Sequence, residues 1–312
     1  MQLKYSFKKE WSHFTRTLRI WGVIAAILGF AISNPMMFKF VSVVMNEVMP
    51  GFSDTSGSSD SSLYSQASIL NILNLADHTS ENGSGSIFGE IDISDAMSMY
   101  NDAGLMFSVS LASFATYGLL IIMLILMSAA GGEQKKRAMI VPMCSGLEYN
   151  NYLLPKFIIY PLFTFGVSFV SALIAGGLCN SMFEDNKITA VRLLLTALDM
   201  SVYMMFIVCV FLSLGLCTSR PGIMVPSIFL GQMLIESLLN GLGMLRYHPF
   251  ALLGYVDSGM ITSSDYAFED ELPSFITAIA LSLVICVMMY FLALGVLKAK
   301  KINNQKEIEP EF

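Results

Sequence analysis

GGEQKKRAMIVPMCSGLEYNNYLLPK, residues 131–156, is the stretch that decides how this chain folds. It separates two apolar runs, 105–130 and 157–179. Each run is long enough to cross a bilayer, which takes about 20 apolar residues. The stretch carries four basic residues, Lys135, Lys136, Arg137 and Lys156. Because short loops rich in Lys and Arg stay in the cytoplasm, this one is predicted to join two transmembrane helices on the cytoplasmic side.

The middle of this loop is apolar, although it lies outside the bilayer. Residues 138–147 include Ile140 and Leu147. Apolar side chains in a cytoplasmic loop must be shielded from water, and two environments fit the pattern. The segment is either an amphipathic helix lying along the lipid headgroups or a surface that docks onto a soluble partner.

The composition of the whole chain extends this interpretation. Hydrophobic residues make up 54% of the sequence and charged residues 13%, whereas a soluble domain has about 25% charged residues. Six apolar segments are predicted as spans, at about 20–33, 105–130, 157–179, 193–216, 223–242 and 275–297. We therefore expect an all-α polytopic membrane protein with six transmembrane helices in one domain, 20–312.

The basic residues also predict the orientation. With the N-terminus inside, fourteen of the 18 Lys and Arg residues fall on the cytoplasmic side and four outside. This bias predicts a multi-pass protein of the plasma membrane with both termini in the cytoplasm. We expect the source to be bacterial.

Two flanking regions complete the predicted architecture. Residues 1–19 carry aromatic residues at near-helical spacing among lysines, which indicates an interfacial amphipathic helix, the alternative being the basic flank of a signal anchor. Residues 34–103 form a large extracellular insertion, rich in Ser, Gly and Asp from 51 to 102. That insertion is either a lid or substrate-receiving domain, or a solvated insertion without such a role.

Acidic residues inside apolar spans are costly and suggest function. Asp199 lies in the fourth predicted span and Glu236 in the fifth. Gln232 and Asn240 lie four residues either side of Glu236, on the same helix face. These four residues are candidates for lining a translocation route; the alternative is that the two acids are hydrated near the outer surface.

The loop also carries a resemblance to a known family. The order is a long apolar helix, Gly132-Glu133, the basic cluster, an apolar turn, and Lys156 opening the next helix. This order resembles that of the ABC-2 type permeases, the membrane subunits of ABC exporters. The resemblance implies that the loop carries a coupling helix that contacts a separate ATP-binding subunit. The residues that match the family there are Gly132, Glu133, Lys135, Lys136, Arg137 and Lys156. Ile140 and Leu147 of the apolar turn are the candidate contacts with that subunit.

The same resemblance has further implications. The N-terminal helix is similar to the family's elbow helix. Pro249, Phe250 and Tyr255 match an outer segment that closes the external gate. Two permease subunits, identical or different, would form the export conduit, and the partner ATPase would use ATP and Mg.

Several chemistries are missing from the sequence. It contains no GxxxxGK[ST], HExxH or GxSxG pattern. The 3 histidines are scattered and the 5 cysteines form no CxxC. We therefore expect no enzyme activity, bound cofactor or metal in this chain, and no nucleic-acid partner. The predicted function is a permease subunit; the alternative is a non-transporting membrane sensor, immunity or accessory protein.

Overall fold

A computed structural model describes residues 2–16, 18–48, 102–127, 148–183, 187–218, 221–257 and 272–308. Within these ranges the chain is almost entirely helical and has no β-strand. The helices are α1 (Gln2–Arg16), α2 (Leu18–Val48), α3 (Ala103–Leu126), α4 (Tyr149–Met182), α5 (Ala190–Thr218), α6 (Pro221–Gly241), α7 (Ala251–Asp257) and α8 (Leu272–Ile308). A 3₁₀ turn, Leu245–Tyr247, lies between α6 and α7.

Five of the described helices are long and apolar enough to cross a membrane: α3, α4, α5, α6 and α8. The helical, membrane-spanning class predicted from composition is therefore present. The first predicted span differs, because α2 does not end at residue 33. It continues through Pro35 to Val48, and its apolar part, Ile27–Val41, is shorter than a full span. Residues 34–48 of the predicted insertion thus belong to a helix, and residues 49–101 lie outside the described part.

α5 occupies the centre of the bundle. In its most apolar window 78% of the residues are buried, against 17% in α6 and 11% in α8. A helix that is apolar on all sides is stable when other helices surround it. α6 and α8 consequently form the outer surface of the bundle.

Small residues on α4 allow this close packing. Ser168, Ala172 and Gly176 recur every four residues and are buried. A Cβ placed on Gly176 would collide with the Leu193 side chain of α5 and lie 3.1 Å from the Phe107 ring of α3. Since glycine alone leaves room, three helices meet at this point.

α3 contains one turn of π-helix, Phe114–Gly118. The Phe114 ring lies over Gly118, where a Cβ would be only 2.7 Å from two ring carbons. Gly118 therefore leaves room for the Phe114 ring beside this turn. π-turns are often found at functional positions.

Candidate functional site

A buried ion pair joins α1 to the first turns of α4. Lys156 Nζ lies 3.6 Å from Glu10 Oε1; the Lys156 side chain is fully buried and that of Glu10 is 13% exposed. The Tyr160 hydroxyl donates to the same carboxylate oxygen at 2.9 Å. The Lys156 ammonium also lies 4.9 Å from the centre of the Tyr152 ring. A buried charge is costly unless it is paired, so α1 supplies the group that allows Lys156 to be internal.

A proline in α4 creates a second contact between the same helices. Pro155 has no N–H, so it cannot donate to the carbonyl of Asn151 four residues earlier. The Ser6 hydroxyl of α1 donates to this carbonyl instead, at 2.7 Å. The Phe14 ring of α1 packs edge-on against the rings of Tyr160 and Phe163, at 5.3 and 4.8 Å between centroids. Together with the ion pair, these contacts define what we call the α1–α4 junction: Ser6, Glu10 and Phe14 with Asn151, Lys156 and Tyr160.

The junction directly follows the loop that the sequence singled out. Residues 149–156 of that loop form the first turns of α4. Lys156 was expected to contact an ATPase, but it is fully buried against Glu10 and does not reach the surface. The other predicted coupling residues lie outside the described part of the chain: Gly132, Glu133, Lys135, Lys136, Arg137, Ile140 and Leu147.

The predicted route residues fall in two places. Asp199 lies inside the bundle, nine residues after Ala190 and therefore about 14 Å along α5. It is fully buried, and neither carboxylate oxygen has a hydrogen-bond partner among the described residues. Hydration near the outer surface, the alternative reading of this acid, is therefore not what the structure shows for Asp199.

Gln232 and Glu236 form a hydrogen-bonded chain with a residue of α5. The Tyr203 hydroxyl donates to Gln232 Oε1 at 3.0 Å, and Gln232 Nε2 donates to Glu236 Oε1 at 2.8 Å. Gln232 is buried and Glu236 is half-buried, on a helix whose neighbouring Met233 and Leu234 are exposed. These hydrogen bonds thus connect the buried α5 to the surface of α6. The Asn240 side chain, which shares this face by spacing, lies outside the described residues.

The segment between α6 and α7 folds back toward the bundle. Gly243 has a φ of +67°, a left-handed conformation that glycine adopts without strain. The Met244 N–H donates to the Leu239 carbonyl at 3.0 Å, which closes the C-terminal end of α6. The 3₁₀ turn Leu245–Tyr247 and then Pro249 continue the reversal.

Aromatic contacts hold this fold-back segment, residues 245–257, in place. The Phe250 ring packs edge-on against Phe206 of α5 at 5.8 Å between centroids. Phe206 lies sixteen residues after Ala190, about 24 Å along α5, so the segment reaches deep into the bundle. Tyr255 packs in the same manner on Phe275 of α8, also at 5.8 Å. Pro249, Phe250 and Tyr255, the predicted gate residues, are all buried here.

His248 precedes these residues and lies outside the five apolar spans. Its Nδ1 accepts the Phe250 N–H at 3.4 Å, and its ring centroid lies 4.9 Å from that of Phe250. Burial lowers the pKa of His248 from its usual 6.5, which favours the neutral ring. A neutral Nδ1 is the form that can accept this bond.

Sequence reasoning missed most residues of the α1–α4 junction, including Glu10, and it also missed Tyr203. Glu10 is the partner of Lys156. It is the one acidic residue in residues 1–16, which contain four basic residues: Lys4, Lys8, Lys9 and Arg16. That contrast could have indicated that Glu10 pairs with a buried basic residue. Tyr203 links α5 to Gln232, and nothing in its local sequence distinguishes it from other aromatic residues in apolar spans.

Comparison with known proteins identifies no relative: the chain matches no protein-family model, no curated protein and no solved structure.

Proposed function

We propose that this chain is the permease subunit of an ABC exporter, of the ABC-2 type, driven by a separate ATP-binding subunit. The observation that carries the proposal is the α1–α4 junction. A buried ion pair fixes α1 to the helix that emerges from residues 131–147. A movement imposed on that loop by an ATPase would be transmitted to α4 and α1 together, because a paired buried charge resists separation.

In this proposal the basic residues set the orientation. Residues 131–147 and both termini lie in the cytoplasm of a bacterial cell, and residues 49–101 lie outside. Ile140 and Leu147 contact the ATPase, while Lys135, Lys136 and Arg137 at the rim orient it. ATP and Mg are bound by that partner.

A second permease subunit would complete the conduit. Glu236 is half-buried on α6, whose exposed surface is otherwise largely apolar. A carboxylate facing lipid at that position is unfavourable, so a facing subunit or a water-filled conduit is the better environment. Gln232 and Tyr203 hold its side chain in position.

The fold-back segment would close the outer end of this conduit. Replacing Phe250 with Ala removes the ring that packs on Phe206. We expect leak of substrate without ATP turnover, or ATP hydrolysis without export, measured in vesicles containing the complex. Normal export together with normal basal hydrolysis would rule out a gating role for Phe250.

The coupling assignment is tested by co-purification. A tagged chain is isolated from its native membranes, and the bound protein is tested for ATP hydrolysis. Ile140→Asp with Leu147→Asp should release the ATPase while insertion and folding of the chain stay unchanged. The control, with Lys135, Lys136 and Arg137 all changed to Gln, should weaken binding less. If the Asp variant keeps both its ATPase and its transport activity, the coupling assignment is wrong. If the wild-type chain carries no ATPase, a membrane sensor or accessory protein becomes the better interpretation.

A further inference from the structure

Two cysteine thiols meet between α5 and α8. Cys209 is buried on α5, with 3% of its surface exposed, and Cys286 is partly buried on α8. Their side chains lie next to each other. Neither residue belongs to the α1–α4 junction, to the fold-back segment, or to the chain of polar groups around Gln232.

A separate contact fixes the same alignment of the two helices. One turn further along, the Ser213 hydroxyl of α5 donates to the Met289 carbonyl of α8 at 2.9 Å. Cys209 precedes Ser213 by four residues and Cys286 precedes Met289 by three. Because the two helices run in the same direction, stepping back one turn along each brings the two cysteines to one level.

The spacing of buried residues on α8 supports this position. Phe275, Ala278 and Ser282 are buried, as are Ala293 and Leu297 further along. Cys286 continues this stripe four residues after Ser282, so its side chain belongs to the face that packs on α5.

We propose that Cys209 and Cys286 form a peroxide-sensitive dithiol that closes to a disulfide bond between α5 and α8. Cys286 is the more exposed of the two, and α8 lies on the outside of the bundle, so Cys286 is the thiol that reacts first. Cys209, which is shielded by the bundle, resolves the product.

The oxidant is a lipid hydroperoxide. The Cys286 sulfur attacks the terminal peroxide oxygen, the O–O bond breaks, and the thiol proton goes to the leaving oxygen. The products are a sulfenic acid on Cys286 and a lipid alcohol. The Cys209 sulfur then attacks the Cys286 sulfur and displaces the sulfenic oxygen, which leaves as water with the Cys209 proton. Two thiols and one hydroperoxide thus give one disulfide, one alcohol and one water.

The position of the pair restricts the oxidants that can reach it. Cys209 lies nine residues before Thr218, about 14 Å from the end of α5, where charged oxidants and reductants do not readily enter. A disulfide leaves no charge in this apolar region. Binding of a soft monovalent metal ion by two thiolates would leave a net negative charge there, which is unfavourable.

The experiment uses the full chain, reduced and reconstituted in liposomes containing a phospholipid hydroperoxide. Matched liposomes contain the corresponding lipid alcohol. After alkylation of free thiols, disulfide-linked peptides are mapped by mass spectrometry. We expect the Cys209–Cys286 link in hydroperoxide liposomes alone, at least about tenfold above any link to Cys179 or Cys217, since thiols that are not neighbours cannot meet disulfide geometry.

The variants test the order of the two steps. Cys209→Ser should accumulate a sulfenic acid on Cys286 that dimedone traps, while Cys286→Ser should give no dimedone adduct on Cys209. Cys179→Ser and Cys217→Ser should form the link as the wild type does. If no Cys209–Cys286 link forms, or if the adduct appears on Cys209 instead, the proposal is wrong. The wild-type measurement alone decides whether the Cys209–Cys286 link forms, even if a variant fails to fold.

Discussion

The ion pair at the α1–α4 junction allows a prediction whose magnitude follows from burial. Glu10→Gln removes the charge facing Lys156, whose side chain is fully buried 3.6 Å away. Breaking a buried pair from one side costs about 3–5 kcal/mol, because the remaining charge has no counter-charge. We expect the free energy of unfolding to fall by about that amount.

The reverse change is expected to be milder. Lys156→Met leaves the Glu10 carboxylate, which is 13% exposed and still accepts the Tyr160 hydroxyl. A charged group that keeps one hydrogen bond and some water should cost about 1–3 kcal/mol. In the double variant Glu10→Gln with Lys156→Met no unpaired charge remains, so it should be more stable than Glu10→Gln alone.

The assay is reversible unfolding in mixed micelles, analysed as a double-mutant cycle. Lys9→Gln on α1 is the control, because its side chain is exposed and its loss should change stability by less than about 0.5 kcal/mol. Additivity of the two single changes within about 0.5 kcal/mol would refute the reasoning. It would mean that the two side chains do not interact.

Three further predictions concern topology, packing and pH. Cysteine at position 59 should be labelled from outside intact cells, and cysteine at position 305 only after permeabilisation; the reverse pattern would overturn the proposed orientation. Gly176→Ala should destabilise the fold by about 1–3 kcal/mol through its clash with neighbouring side chains. The control is Gly177→Ala in the same unfolding assay, because a Cβ at Gly177 would have no atom within 4 Å. It should be neutral or stabilising by up to about 1 kcal/mol. If both substitutions changed the free energy of unfolding equally, the close contact at Gly176 would be contradicted. The pKa of His248 is lower in the folded chain than its usual 6.5. As the pH falls below 6.5, the unfolded chain therefore binds the proton first. The contribution of His248 to stability is present above pH 6.5 and is lost as the pH falls through the lowered pKa. His248→Gln should therefore lose less thermal stability than the wild type on acidification, and an identical pH profile would contradict the burial of this ring.

The helical architecture could be predicted because it depends on properties that are local in sequence. Apolar length predicts a span, and the 157–179 and 193–216 predictions lie inside α4 and α5. The four-residue spacing of Ser168, Ala172 and Gly176 is a local pattern of the same kind, and Gly176 lies at a close contact between helices. The first helix extends beyond the predicted 20–33 segment, because α2 continues through Pro35 to Val48. In a long apolar helix the carbonyl that a proline leaves unbonded is tolerated when neighbouring groups satisfy it.

The sites could be predicted less well, since they depend on which helices meet. Lys156 was expected at the contact with an ATPase because it matches the lysine that opens the next helix in the family it resembles. Its burial depends on Glu10, about 150 residues away in sequence, and no periodicity reports such a pairing. The pairing of Cys209 with Cys286 likewise follows from the alignment of α5 and α8, which spacing within either helix does not specify.

The two intramembrane acids differ in a way that connects to the fold-back segment. Asp199, Tyr203 and Phe206 are four and seven residues apart and share one face of α5. On this face Tyr203 is covered by Gln232 of α6 and Phe206 by Phe250 of the fold-back segment. Asp199 is buried on the same face, one turn from Tyr203 and two turns from Phe206, which the proposed gate contacts. A static segment would leave both its carboxylate oxygens permanently unsatisfied, whereas a segment that withdraws would hydrate them. In the Phe250→Ala variant Asp199 should accordingly become accessible to a water-soluble carbodiimide. If labelling of Asp199 stayed as in the wild type, movement of the fold-back segment would not expose Asp199, and this residue would have no part in gating.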